Sequence, residues 1–173
     1  MYFSSLLFLF VFLPIVLAVY YIVPRKFRNA FLLLANLVFY GWGEPVFILI
    51  MIVSVVSNYI FGLLIEKYRD NQKRKKTFLV LSLVISLGLL AVFKYTGFSF
   101  MPKINLPLPI GISFYTFQTL SYTIDVYRGD TKAQKSLVSF GTYVSFFPQL
   151  IAGPIVRYTD IAKMLDERRE NIS

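Results

Sequence analysis

The sequence predicts an all-α fold: a polytopic integral membrane protein of about five spanning helices plus a re-entrant or broken sixth segment. Three observations carry that prediction. The 173 residues are 57% apolar and only 16% charged. Long uncharged stretches alternate with short basic clusters, and the last stretch is interrupted by glycine and proline. A soluble domain of this size needs polar residues over its outside, whereas a helix in lipid stays apolar on that outside too.

The first element is Met1 to Val23, which has no charged side chain. At about 1.5 Å per residue it is long enough to cross a hydrocarbon core of about 30 Å. It opens with Met1, Tyr2 and Phe3 rather than with the positive charge of a cleavable leader, so it is expected to be retained. After Arg25, Lys26 and Arg28 comes a shorter run, Asn29 to Gly43, of marginal length for a span. Gly41-Trp42-Gly43-Glu44-Pro45 then breaks the helix, with the Trp42 indole suited to the headgroup region and Pro45 to a new first turn.

The third run, Val46 to Ile65, is of full spanning length. The connector from Glu66 to Lys76 carries six basic residues and is expected to be a cytoplasmic loop. Thr77 to Phe93 follows as a slightly short span that Lys94 extends by snorkelling. Gly97 to Pro109 contains Pro102, Pro107 and Pro109 and reads as a non-helical connection. The fifth helix runs from Ile110 to Asp125, with Pro109-Ile110-Gly111 as its start and Arg128-Gly129 as its stop. The last uncharged run, Ser136 to Val156, contains Gly141, Pro148, Gly153 and Pro154, which argue against one straight helix. From Thr159 the tail has the pattern of a short amphipathic interfacial helix, or of a frayed end.

The basic residues orient these segments. If the first five all cross, positions 25, 26, 28, 67, 69, 73 to 76, 128, 132 and 135 share one side, and only Lys94 and Lys103 face the other. That asymmetry places the N-terminus outside and loops 25–28 and 66–76 in the cytoplasm of a multi-pass cell-membrane protein. A re-entrant sixth segment returns Arg157, Lys163, Arg168 and Arg169 to the basic side as well, and irregular backbone at membrane depth has to line protein or a wet cavity.

A net charge of +9 invites a nucleic-acid reading, but the cations sit in separate clusters between apolar runs and form no continuous basic face. The bilayer is the expected partner and nucleic acid is not. With neither Cys nor His in the chain, thiolate chemistry and imidazole general-base catalysis are excluded within it. No metal site and no catalytic residue is expected, and no bound cofactor.

The fifth segment is unusually polar for its setting. Ser113, Thr116, Gln118, Thr119, Ser121, Tyr122, Thr123 and Asp125 stand among aromatic and branched residues, and Gln118, Tyr122 and Asp125 follow an i, i+4, i+7 line. Such a line faces protein or water and never lipid. Helix packing and a polar tunnel wall both account for it. For Asp125, an ion pair with Arg128 stands beside a functional carboxylate. In the last run Gln149 follows Pro148 and Arg157 follows Gly153-Pro154, making Gln149 a partner for a backbone group freed by proline. Arg157 reads either as a topological anchor or as a seat for an acidic group such as a donor phosphate.

PLPIGISFYTFQTLSYTIDVYRG, followed by FPQLIAGPIVRY, resembles the paired central motifs of the membrane-bound O-acyltransferase family, in the branch of alginate O-acetylation and teichoic-acid D-alanylation. The opening MYFSSLLFLFVFLPIVLAVYYIVP and the FYGWGEP turn are similar to the same branch, so the likeness runs end to end. It implies that residues 1–173 are the N-terminal portion of one membrane-embedded domain whose C-terminal catalytic half is absent. It further implies a cytoplasmic acyl thioester such as acetyl-CoA as co-substrate, an extracellular polysaccharide hydroxyl as acceptor, and periplasmic or extracellular acetylation partners. The family's base is a membrane-buried His in the later half, so this segment alone is expected to shape the substrate path without turning over. Ser113, Gln118, Tyr122, Asp125, Gln149 and Arg157 are the path candidates, with Pro109, Gly111, Pro148, Gly153 and Pro154 as the structural motif. A transporter or channel subunit, or a non-catalytic membrane assembly module, would share the broken helices.

Overall fold

The computed structural model describes residues 6–43, 45–95, 109, 111–152 and 158–161. Its elements there are helical. A π-helical stretch, Phe8–Phe12, leads into α1, Leu13–Ile22; then come α2, Arg28–Gly43, α3, Ile48–Lys67, α4, Gln72–Tyr95, α5, Ile112–Arg128, α6, Leu137–Ser145, and α7, Phe147–Ala152. The wide opening turn has a local cause. Pro14 lacks an N–H, and its ring would crowd the Phe10 carbonyl in a regular turn, so Leu13 donates five residues back to Phe8. Val23, ahead of Pro24, is extended at φ −66° and ψ 131°, and this ends α1.

Residues 66–76 correct an expectation. They are not a loop: α3 continues through Lys67 and α4 begins at Gln72, so the connection shrinks to the turn around Tyr68–Asn71. Glu, Lys, Arg and Gln are good helix formers, and the Asn71 side chain caps α4 by accepting from the Arg74 N–H at 3.2 Å. Aromatic faces hold the cations of this hairpin, with Arg74 over Tyr68 at 5.2 Å and Lys75 over Tyr127 at 4.7 Å. The fourth segment is correspondingly longer than the expected 77–93.

The fifth helix begins and ends at the expected signals. Its end is a Schellman turn: Gly129 adopts φ +86°, its N–H and that of Asp130 reaching back to Val126 and Asp125 at 3.2 and 3.0 Å. The sixth segment is broken, as Pro148 suggests. Continuing α6 would press the proline ring onto the Val144 carbonyl, so the helix ends at Ser145, Phe146 leaves helical geometry, and α7 restarts with Pro148 in its first turn.

Helices α3, α4 and α5 pack against one another, α6 lies on α2 and α3, and α1 lies on α2. Unlike a soluble bundle, this assembly is apolar on its outside as well as in its core, and much of its polar content is buried. Asn58, Ser82 and Ser86 are buried between helices, while Leu49, Val53, Leu81, Val84 and Ile85 point outward. In water that apolar exterior would drive association, whereas in lipid it is the ground state. Two of the described helices, α3 and α4, are long and apolar enough to cross a bilayer. Inside them, Asn58 Nδ2 donates to Ser54 O at 2.9 Å and Ser82 Oγ donates to Asn58 Oδ1 at 2.8 Å, with Thr123 Oγ1 of α5 3.3 Å from Ser82. This network joins three helices at the level of their polar side chains, a substitute for the hydrophobic drive that lipid removes.

Candidate functional site

The polar line of α5 is built from its N-terminus upward. Pro109 is buried, and Gly111 caps the helix at φ +75°, with the Leu150 carbonyl oxygen 3.2 Å from where a Cβ would sit. Only glycine meets both demands, the left-handed backbone and the close approach of α7. Ser113 is half-buried in the first turn. Gln118, Tyr122 and Asp125 are all buried on the expected line, at 1%, 0% and 8% exposure. Among the described residues neither the Nε2 nor the Oε1 of Gln118 has a hydrogen-bond partner, and neither does the Thr116 hydroxyl two residues earlier. Orphaned buried polar atoms carry a desolvation cost of about 1–3 kcal/mol, and a polar ligand or water is what relieves it. Asp125 is buried, whereas Arg128, in the last turn of α5, is exposed.

Tyr122 is occupied differently. Its hydroxyl accepts from the Gln134 backbone N–H at 3.0 Å, and its ring sits 4.5 Å from Phe140 and 4.9 Å from Tyr158. Gly62 of α3 makes room for it, since a Cβ there would lie 2.5 Å from the Tyr122 oxygen. The same centre straps down the chain between α5 and α6. The Ala133 N–H donates to Glu66 Oε2 at 2.6 Å, Tyr59 donates to the Lys135 carbonyl at 2.7 Å, and Gln134 Nε2 donates to Tyr158 at 2.9 Å. Sequence reasoning singled out Tyr122 alone from this group. The signal for Glu66 was available, as the single acid closing an otherwise apolar run, an expensive place for a charge without a partner.

Gln149 stands apart from the α5 line. It is buried on α7 and lines a cleft of about 430 Å³ with Thr142, Tyr143 and residues of α1. Pro148 is half-buried on the same cleft. Tyr143 bridges the two regions, touching Tyr158 at 5.4 Å and lying near Asp125. Gly153, Pro154 and Arg157 lie outside the described residues. No group of metal-ligating side chains occurs among the described residues.

Comparison with known proteins gives a consistent set of relatives. The chain is 40% identical over 186 aligned residues to the Pseudomonas aeruginosa protein named "Probable alginate O-acetylase AlgI", covering 99% of this chain and 36% of that protein. It is 29% identical to the peptidoglycan O-acetyltransferase of Helicobacter pylori, covering 96% of this chain and 39% of the relative. It is 27% identical to the teichoic acid D-alanyltransferase of Lacticaseibacillus rhamnosus, covering 72% and 35%. The chain thus spans little more than a third of the length of the curated relatives it matches. No protein-family model and no solved structure matches it.

Proposed function

From its membership of the membrane-bound O-acyltransferase family, to which this chain belongs, we propose that it forms the N-terminal, substrate-path part of an enzyme acetylating an extracellular polysaccharide. One observation carries the reading: identity of 40% sustained over 99% of the chain to a protein named for alginate O-acetylation. Five spanning helices and a re-entrant sixth segment deliver an acyl group from a cytoplasmic thioester toward a hydroxyl on the other side of the cell membrane. The N-terminus is outside and the hairpin at 66–76 is cytoplasmic, as the distribution of Lys and Arg supports.

In the reaction the acceptor hydroxyl attacks the thioester carbonyl, its proton goes to a base, and the thiol leaves. With no His here, that base belongs to the remainder of a longer protein. The contribution of this segment is positioning. Gln118 presents an unpartnered amide at the buried polar line, Asp125 supplies a buried carboxylate near its end, and Ser113 and Gln149 border the approaches. Arg157 holds an acidic group of the donor. Tyr122 acts on the path through the Gln134 strap it holds.

The test is alanine substitution at Ser113, Gln118, Tyr122 and Arg157, one at a time, in a full-length acetylating protein carrying this segment, followed by measurement of polymer acetyl content. Loss of acetylation with retained membrane insertion supports the role. Full activity in all four removes it.

A further inference from the structure

Helices α1, α2, α6 and α7 enclose the cleft of about 430 Å³, and its chemistry changes from one end to the other. Its walls are aliphatic and aromatic, with Leu13, Val16 and Leu17 on α1 and Leu32 on α2. From Leu13 to Tyr20 the α1 wall runs about 10 Å along the helix axis. Leu17 and Phe146, 49% and 37% exposed, open it sideways, toward what would be lipid. On its wall Phe147 packs against the rings of Phe8, Phe12 and Phe39 at 5.3 to 5.8 Å.

The near end is cationic. Tyr20 lies there, with the Arg28 guanidinium 4.9 Å from its ring centroid and Arg28 Nε donating to the Val23 carbonyl at 3.1 Å. The turn Arg25–Phe27 joins the two helices that wall the cleft, and on it Arg25 and Lys26 are exposed. Thr142 Oγ1, 2.9 Å from Asn29 O, brings α6 level with the same turn. Two carboxylates, Asp125 and Asp160, lie near the cleft residue Tyr143, against the three cations Arg25, Lys26 and Arg28 at the turn, so positive charge prevails by one.

We infer that this cleft is a phospholipid site, holding one acyl chain along α1 and α6 and the phosphate of an anionic headgroup at Arg25 and Lys26. The argument is charge complementarity joined to shape. An apolar slot opening sideways accepts a hydrocarbon chain, and two exposed cations at its mouth favour a headgroup of net negative charge over a zwitterionic one. The cleft adjoins the proposed substrate path through Gln149 and Tyr143, but lipid retention is read without any acyl transfer.

Native mass spectrometry of the intact protein, released from nanodiscs containing phosphatidylglycerol and phosphatidylcholine of matched chains, tests it. The expected result is one retained lipid with about a thirtyfold preference for phosphatidylglycerol, from two headgroup-level cations. The paired variant Arg25→Gln, Lys26→Gln brings the two lipids to parity. Leu17→Trp fills the slot and lowers retention of both. All three positions are exposed, so folding is preserved, and inorganic phosphate does not compete. Overturning results are retention of no lipid, equal retention of both lipids by the unmodified protein, or an undiminished preference in the charge variant. Displacement by glycerol phosphate alone would show that the slot binds no chain and would overturn the site equally.

Discussion

Replacing Gly62 with alanine puts a methyl group where the structure has no room. The added Cβ would stand 2.5 Å from the Tyr122 hydroxyl oxygen, 2.6 Å from Cε1 and 2.8 Å from Cζ, all well inside van der Waals contact. Tyr122 cannot step back, because its ring is enclosed by Phe140 and Tyr158 and is completely buried. Moving it also strips the Gln134 N–H of its acceptor. Overpacking costs about 1–3 kcal/mol and an orphaned buried donor about 1–3 kcal/mol more, so a loss of about 2–6 kcal/mol is expected. At about 2–4 °C per kcal/mol for a chain of this size, the midpoint falls by on the order of 10 °C. The assay is size-exclusion of detergent-solubilised, fluorescently tagged protein after heating. Gly62→Ala combined with Tyr122→Leu, which shortens the opposing side chain, recovers part of the loss. An unchanged midpoint for Gly62→Ala would refute the packing of α3 on α5 described above.

Gly111→Ala is expected to cost more than Gly129→Ala by about 1 kcal/mol, read as a lower midpoint in the same assay. Both have positive φ, but only Gly111 also meets a carbonyl oxygen. Asn58→Leu removes the group that Ser82 donates to and should lower stability by about 1–2 kcal/mol, while Asn58→Leu with Ser82→Ala and Ser86→Ala loses less, because no buried hydroxyl is then orphaned. Glu66→Ala frees the strap at Ala133, so trypsin added at the cytoplasmic face should cut at Lys132 and Lys135 several-fold faster, with Glu66→Gln in between. Because the chain has no cysteine, single Asp70→Cys and Trp42→Cys variants report topology cleanly; an impermeant maleimide on intact cells should label position 42 and not position 70.

Much of the architecture was legible in apolar run lengths. The breaks at Gly41–Pro45 and Pro148 and the two ends of α5 follow from residues whose backbone preferences are local and strong, so tertiary context had little to override. The 66–76 segment was misjudged because a rule about which side charges occupy says nothing of their conformation, and its residues favour helix. At the candidate site, period alone placed Gln118, Tyr122 and Asp125 on one buried line. It did not reveal that Tyr122 is engaged by Gln134 while Gln118 is unpartnered, nor that Gly62 and Glu66 on a different helix complete the Tyr122 centre. The Gly62 and Glu66 contacts join residues 60 and 67 positions apart and the Gln134 contact leaves the helix, beyond the reach of any pattern along one helix.

The central claim is that this segment is a working part of a polysaccharide O-acetyltransferase. A chimaera in which it replaces the corresponding third of the Pseudomonas aeruginosa relative, expressed in cells lacking that protein, tests it most directly through the acetyl content of secreted alginate. Restored acetylation that Gln118→Ala abolishes, at unchanged membrane abundance, is the expected result. A stably inserted chimaera that leaves alginate unacetylated would contradict the claim.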